Sequence, residues 1–145
     1  MTGQASGAAS SPGVTDPAQS LVFELPARPT AGSAARRALL AGKGALPRSV
    51  RDDVLLLLTE LVSNAVRHAK AGADRAVRVE LRQRAQTVKV AVFDEGTGFT
   101  AEAPRVKRDE SGGWGLFLVD RIADRWAITP TASGTCAWFE IRCQQ

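Results

Sequence analysis

Hydrophobic and polar residues alternate along the chain with two different periods, and these periods predict its elements. An alternation of period two predicts five strands, at residues 21–25, 77–82, 88–93, 126–129 and 135–142. Helical spacing predicts three helices, at residues 30 to about 40, 47 to about 69, and from about 116 onwards. Thr30 is the expected cap of the first helix, and Gly42 and Gly44 are expected to end it. Grouped helices beside mostly antiparallel strands predict an α/β two-layer sandwich, with a mostly antiparallel mixed sheet and helices on one face.

The domain organisation follows from a change of composition near residue 20. The first 20 residues, MTGQASGAASSPGVTDPAQS, contain no aromatic residue, leucine or isoleucine, which predicts a disordered tail. Residues 21–145 are expected to form a single domain, because this length suffices for one substantial core. The chain has 44% hydrophobic and 23% charged residues, as an ordinary globular protein does.

Hydropathy and charge limit the location and the partners. The longest aliphatic run, residues 54–58, is far too short to cross a bilayer, and the N-terminus lacks the pattern of a signal peptide. We therefore expect a cytoplasmic protein without a membrane contact. Cys136 and Cys143 are an odd number of residues apart in the last strand, so they project from opposite faces and are not expected to pair. The net charge of +4 suits a nucleic acid, a nucleotide or an acidic protein and does not choose among them.

The second predicted helix carries polar side chains at four-residue spacing in an apolar segment, TELVSNAVRHA. At about 100° per residue, Glu60, Asn64 and His68 fall within one narrow stripe beside the apolar face. A solvated helix face with a hydrogen bond between Glu60 and Asn64 explains this spacing without any function. On spacing alone, that is the simpler interpretation.

Two glycine-rich segments suggest a ligand-binding loop and an anion site. In VFDEGTGF a strand ends at Asp94, whose carboxylate can accept a hydrogen bond from a base, and Gly96 and Gly98 permit close approach of a ligand. The alternative is an ordinary turn. In SGGWGLFLVDRIADRW, glycines lie beside a helix N-terminus, which suits phosphates. The alternative there is a flexible loop before a helix.

Four segments in this order resemble the motifs of the GHKL ATPase superfamily, shared by histidine kinases, gyrase and heat-shock chaperone ATPases. ELVSNAVRHA resembles the N box, DEGTGF the first glycine box, GGWGLFLVDRIADRW the second and GTCAWFE the third. The resemblance covers about residues 21–141 and is strongest to the small anti-sigma-factor serine kinases and their actinobacterial relatives. It implies a histidine-kinase-like ATPase fold that uses ATP and Mg2+.

The resemblance also implies a role for individual residues. Glu60 resembles the general base that deprotonates the attacking hydroxyl. Asn64 resembles the residue that binds Mg2+ through its amide oxygen. Asp94 resembles the residue that reads the adenine amino group, and Thr135 the threonine near the adenine. The other implied nucleotide contacts belong to the glycine boxes: Gly96, Gly98, Gly113, Gly115 and Leu116.

Some features depart from the family pattern. Trp114 occupies a position where some family kinases have a small or basic residue. The segment that matches the ATP lid, residues 99–111, is short. The chain has one histidine, His68, and no separate histidine-bearing dimerisation helix, which argues against a self-contained sensor histidine kinase.

Two functions of different classes follow. The first, which the resemblance implies, is an anti-sigma factor that is also a protein serine/threonine kinase: it holds a sigma factor, phosphorylates a STAS-type antagonist and forms a homodimer, as the kinases that it resembles do. The second is a non-catalytic or nucleotide-independent module that sequesters a sigma factor or another protein. Direct nucleic-acid binding is not expected, because only the basic charge supports it and no helix-turn-helix or RNA-binding aromatic pattern accompanies that charge.

Overall fold

The computed structural model describes residues 19–42, 46–68, 75–94 and 114–144, which form one sheet and three helices. The strands are β1 (Gln19–Pro26), β2 (Ala76–Arg84), β3 (Thr87–Asp94), β4 (Arg125–Pro130) and β5 (Thr135–Arg142). The helices are α1 (Ala31–Ala41), α2 (Arg48–His68) and α3 (Trp114–Ile122). The strand order is β1-β2-β3-β5-β4, and every pairing within this described sheet is antiparallel. The predicted α/β two-layer sandwich is confirmed.

The predicted elements are all present among the described residues, with bounds that differ by a few positions. β1 begins at Gln19, because its pairing with β2 continues to the partner residue Gln83. Two residues of the predicted tail therefore belong to a strand, and residues 1–18 lie outside the described part of the chain. α3 begins at Trp114, two residues earlier than expected, so Gly115 lies in its first turn.

The predicted capping residue of α1 occupies the N-cap position but does not cap the helix. Thr30 is the residue before the helix, yet its side chain makes no capping hydrogen bond. Its backbone is itself helical, with φ −84° and ψ 0°, whereas a capping side chain requires an extended backbone. Gly42 ends the helix as predicted, and Gly44 lies outside the described residues.

The hydrophobic core lies between the sheet and the helices. The inward-facing side chains of the strands form one side of it. The inward positions of β2, β3 and β5 are fully buried, among them Val79, Val90 and Phe139. α2 covers this face and contacts β2, β3 and β5 as well as α1 and α3. Each buried aliphatic or aromatic side chain contributes roughly 1.5–3 kcal/mol relative to an exposed one, so this layer is the main source of stability. No helix within the described ranges is long and apolar enough to cross a membrane.

The two cysteines are free thiols, as predicted. Cys136 projects from the face of the sheet that the helices leave open, whereas Cys143 packs against the core cluster. Burial raises the pKa of both thiols above the ordinary value of 9.0, so both stay protonated at neutral pH.

A glycine sets the distance between the first two helices. A Cβ atom at Gly32 would lie 2.8 Å from the Oγ atom of Ser63 and 3.2 Å from the Cγ2 atom of Thr59, both on α2. The Thr59 hydroxyl donates a hydrogen bond to the Leu55 carbonyl oxygen at 2.7 Å, which fixes the orientation of the threonine side chain. A side chain at residue 32 would therefore force Ser63, Thr59 or α1 itself to shift.

We expect Gly32→Val to lower the free energy of unfolding by about 1–3 kcal/mol, because the new side chain must displace α1 from α2. Ser33→Val is the matched control: it adds the same side chain at the next, exposed position. That control should change stability by less than about 0.5 kcal/mol. Urea denaturation of both variants measures the difference, and equal losses would show that the close helix approach is not the cause.

Candidate functional site

Three polar side chains are buried in the otherwise apolar interior of the described residues. Asn64, Asp94 and Thr135 are only 5%, 3% and 4% exposed, and they belong to α2, β3 and β5 respectively. α2 packs on both of these strands. Burying polar groups is costly unless they have partners, so interiors contain few of them without a reason. All three had been predicted from the sequence as ligand-binding residues.

The strand pairing brings two of these residues together from distant parts of the sequence. Asp94 is the last residue of β3, Thr135 is the first residue of β5, and the two are directly opposite each other across the ladder. Alternation places them on the inward face, with Val92 and Ala137. Side chains directly opposite in an antiparallel pair have Cβ atoms about 4.5–5.5 Å apart, so one ligand can contact both. The predicted adenine contacts therefore share one end of the sheet.

The third buried residue has a charged partner on its own helix. The Nη2 atom of Arg67 donates a hydrogen bond to the Oδ1 atom of Asn64 at 2.6 Å. A three-residue spacing on a helix places such side chains next to each other, and the distance is that of a charge-assisted bond. The amide oxygen predicted to bind Mg2+ thus already accepts from a cationic group. Arg67 was not among the residues predicted from the sequence, although its helical spacing from Asn64 contained that signal.

The predicted general base lies one turn before Asn64 and is partly exposed. Glu60 therefore fits the edge of a site that opens to solvent. The simpler interpretation of the stripe, a solvated helix face, describes Glu60 but is wrong for Asn64. Helix α2 is buried over a wide arc that includes Leu57 and Leu61, because α1 and α3 both pack against it.

The second glycine box is connected to this region through α3. Gly115 and Leu116 lie in the first turn of α3, which packs on α2 and buries Val119 completely. The first N–H groups of a helix have no intrahelical acceptors and attract anions. The remaining glycine-box residues Gly96, Gly98 and Gly113, the lid segment, and the side chains of His68 and Trp114 all lie outside the described part of the structure.

The described side chains fit a metal ion that binds together with a nucleotide and takes few ligands from the protein. Within the described ranges, no three His, Cys, Asp or Glu residues are grouped to hold an ion. Mg2+ in phosphate-transfer sites needs only one or two protein ligands, since phosphate oxygens and water complete its shell. The amide oxygen of Asn64 would supply one such ligand. It accepts from Arg67 in this structure, so Mg2+ would have to displace the guanidinium or use the second lone pair of that oxygen.

The described fold is an α/β two-layer sandwich in which three polar side chains are buried between the sheet and the helices. The family model for the histidine kinase-like ATPase domain matches residues 25–141, which is most of the chain. The protein therefore belongs to the histidine kinase-like ATPase family, and the predicted family resemblance is confirmed.

Known relatives agree with this membership. The chain is 29% identical to the serine-protein kinases RsbW of Listeria monocytogenes serotype 4a strain HCC23 and serotype 4b strains CLIP80459 and F2365. These alignments cover 72% of this chain and 75% of each relative. The histidine kinase domain of the Erythrobacter litoralis EL346 blue-light activated histidine kinase has a similar fold, with a TM-score of 0.51 and 22% identity. That similarity covers 81% of this chain but only 61% of the solved one.

A double-mutant cycle tests the hydrogen bond between Arg67 and Asn64. We expect Asn64→Ala and Arg67→Ala to be coupled by about 1 kcal/mol in unfolding free energy, because each removes the same charge-assisted hydrogen bond. The cycle cancels the other contacts of each residue, and urea denaturation without nucleotide measures it. The control cycle pairs Asn64→Ala with Arg37→Ala, an exposed arginine on α1, and should give no coupling. Additive losses for Asn64 and Arg67 would contradict the pairing.

Proposed function

We propose that this protein is an ATP-binding anti-sigma factor with serine/threonine kinase activity towards a STAS-type antagonist. The observation that carries the proposal is the burial of Asn64, Asp94 and Thr135, three predicted nucleotide-site residues, between the layers of a histidine kinase-like ATPase fold. Similarity to serine-protein kinases supports the reaction class. In this proposal the acting domain begins with β1 at Gln19, two residues earlier than the sequence predicts, and the protein is a cytoplasmic homodimer.

The nucleotide would be held from both layers. Asp94 accepts a hydrogen bond from the adenine amino group, and the Thr135 hydroxyl lies directly across the ladder on the same side. The first turn of α3, with Gly115 and Leu116, offers backbone N–H groups to the phosphates, while Gly96, Gly98 and Gly113 complete the proposed contacts.

α2 would supply the groups that act on the phosphates. Asn64 would hold Mg2+, which neutralises phosphate charge during transfer. Arg67 would have to release the Asn64 oxygen, or share it, when the metal binds. Its guanidinium also adds positive charge where phosphate charge has to be stabilised.

Glu60 would perform the proton transfer. It precedes Asn64 by one helical turn, about 6 Å along the axis, and is partly exposed, so a serine side chain of a bound partner can reach it. Glu60 accepts the proton of the serine hydroxyl as the oxygen bonds to the γ-phosphorus and the bond to ADP breaks. The resulting phosphoserine adds negative charge to the antagonist, and at a packed interface this charge disrupts binding by repulsion and desolvation.

Nucleotide binding is the first step to test. We expect calorimetry to detect Mg-ATP binding, and Mg-ATP at 100 times its Kd should raise stability by about 2.7 kcal/mol. Asp94→Asn should weaken ATP binding at least tenfold, about 1.4 kcal/mol, because it removes the carboxylate that accepts from adenine. Asp52→Asn makes the same change at an exposed position of α2 and should have no effect. Absence of both heat and stabilisation in the wild type would instead favour the nucleotide-independent module that acts by sequestration alone.

Phosphoryl transfer is the second step to test. We expect Glu60→Gln to slow transfer from labelled ATP to a STAS-type antagonist by about 10²–10⁴-fold, while ATP affinity stays close to that of the wild type. Asn64→Ala is the comparison variant, and it should lose Mg-dependent ATP affinity as well as transfer. Unchanged transfer in Glu60→Gln would show that Glu60 is not the base. Tight Mg-ATP binding without transfer to any antagonist would favour a non-catalytic regulator.

A further inference from the structure

The face of the sheet opposite the helices contains a cavity that the nucleotide site does not use. We call this side the outer face; it consists of the outward positions of all five strands. The cavity measures about 240 Å3. Its lining combines two aromatic rings, two cations, a carboxylate and a thiol: Phe93, Trp138, Arg82, Lys89, Glu80 and Cys136.

Cations surround the aromatic side chains of this face. The Lys89 Nζ atom lies 4.2 Å from the centre of the Trp138 ring, and the Arg125 guanidinium carbon lies 5.9 Å from it on the side of β4. The Arg78 guanidinium carbon lies 5.5 Å from the Phe93 ring centre. Cation–π contacts of this kind keep basic groups over flat apolar surface. The outer face thus offers stacking surface and positive charge in the same place.

The charges of the outer face are unbalanced. Its strand positions carry six basic and three acidic side chains, a net charge of +3: Arg78, Arg82, Arg84, Lys89, Arg125, Arg142, Glu24, Glu80 and Glu140. Two of the three acidic groups are in ion pairs on the face itself, Glu80 with Arg78 at 3.1 Å and Glu140 with Arg125 at 3.9 Å. An excess of +3 on one face accounts for most of the net charge of +4 of the whole chain. A negatively charged partner is therefore complementary to this surface.

We propose that the outer face binds an acidic polypeptide segment of a protein partner, with one apolar or aromatic side chain of that segment in the cavity. The volume supports a side chain, because pockets for cofactors and drug-sized ligands are larger, about 300–1,000 Å3. Phe93 and Trp138 pack against the inserted group, and Arg82 and Lys89 contact the flanking carboxylates.

Two other occupants fit less well. A nucleic acid carries a phosphate at every nucleotide and would place one beside the Glu80 carboxylate, which lines the cavity. A peptide can place its carboxylates at Arg82 and Lys89 and a backbone N–H group or a neutral side chain at Glu80. A second copy of the chain would place two positively charged faces against each other, and like charges facing each other are unfavourable.

The cavity borders the candidate nucleotide site through the strands themselves. Phe93 and Cys136 are directly opposite each other and project outwards, while the next pair, Asp94 and Thr135, projects inwards. The two sites are therefore separate surfaces of the same strand ends. A variant of the outer face can thus be tested for its effect on peptide binding and on nucleotide binding independently.

The probe is a short fluorescein-labelled peptide in which glutamate alternates with leucine around one phenylalanine, measured by fluorescence anisotropy at low and high salt. We expect saturable binding that weakens with salt, because the attraction is partly electrostatic. A lysine version of the peptide should bind at least about tenfold more weakly. Lys89→Glu and Trp138→Ala should each weaken binding of the acidic peptide by about tenfold.

The matched control is Arg37→Glu, which makes the same charge change at an exposed position of α1 and should leave peptide binding unchanged. Lys89→Glu should still bind Mg-ATP as the wild type does, which shows both that it folds and that peptide binding is separate from the proposed kinase function. Equal weakening by Arg37→Glu would overturn the proposal, because it would show non-specific charge attraction. Two further results would also overturn it: tighter, Lys89-dependent binding of single-stranded oligothymidine, or conversion of a dimer into a monomer by Lys89→Glu in sedimentation.

Discussion

The packing of α2 between the sheet and two flanking helices is the constraint on which the candidate site depends. A helix on a sheet surface normally buries a single stripe, and the residues at its borders are solvated. Here α1 and α3 also cover α2, so the buried arc extends to Asn64 while Glu60 remains partly exposed. The close approach at Gly32 fixes one side of that arrangement. One turn of helix thus presents a buried amide and an accessible carboxylate next to each other.

The second determinant is the alternation of side chains along each strand, which places consecutive residues on opposite faces of the sheet. Asp94 and Thr135 close the inward layer, whereas Phe93 and Cys136, one position away in each strand, belong to the outer face. The inward layer is apolar apart from the candidate site, and the outer face is basic and aromatic. A single pair of strands therefore contributes to both proposed binding surfaces, and the core between them keeps the two apart.

The sequence predicted the helices and strands well, because their hydrophobic patterns are regular over many residues. It did not predict how these elements lie relative to one another. The opposition of Asp94 and Thr135 depends on the β3–β5 register, which forms across α3 and β4 and has no local signal. The burial of Leu57 and Leu61 required knowledge that two helices flank α2. Helical spacing could have predicted the hydrogen bond from Arg67 to Asn64, but the bond is significant only because Asn64 is buried. The motif resemblance singled out Asn64, Asp94 and Thr135, which the structure buries, but their role in a site and its chemistry stay predictions.

The buried polar residues also bear on the choice between a kinase and a module that only sequesters partners. A module that binds no nucleotide would not require Asn64, Asp94 and Thr135 in its interior, because well-packed apolar side chains of similar volume are often as stabilising at such positions. Polar groups in a core are worth keeping when a ligand uses them. Partial exposure of Glu60 has the opposite meaning, since a base for a partner's hydroxyl must be reachable from outside. The combination of a buried acceptor set and an accessible carboxylate favours a site that binds a nucleotide inside and receives a protein substrate at its edge.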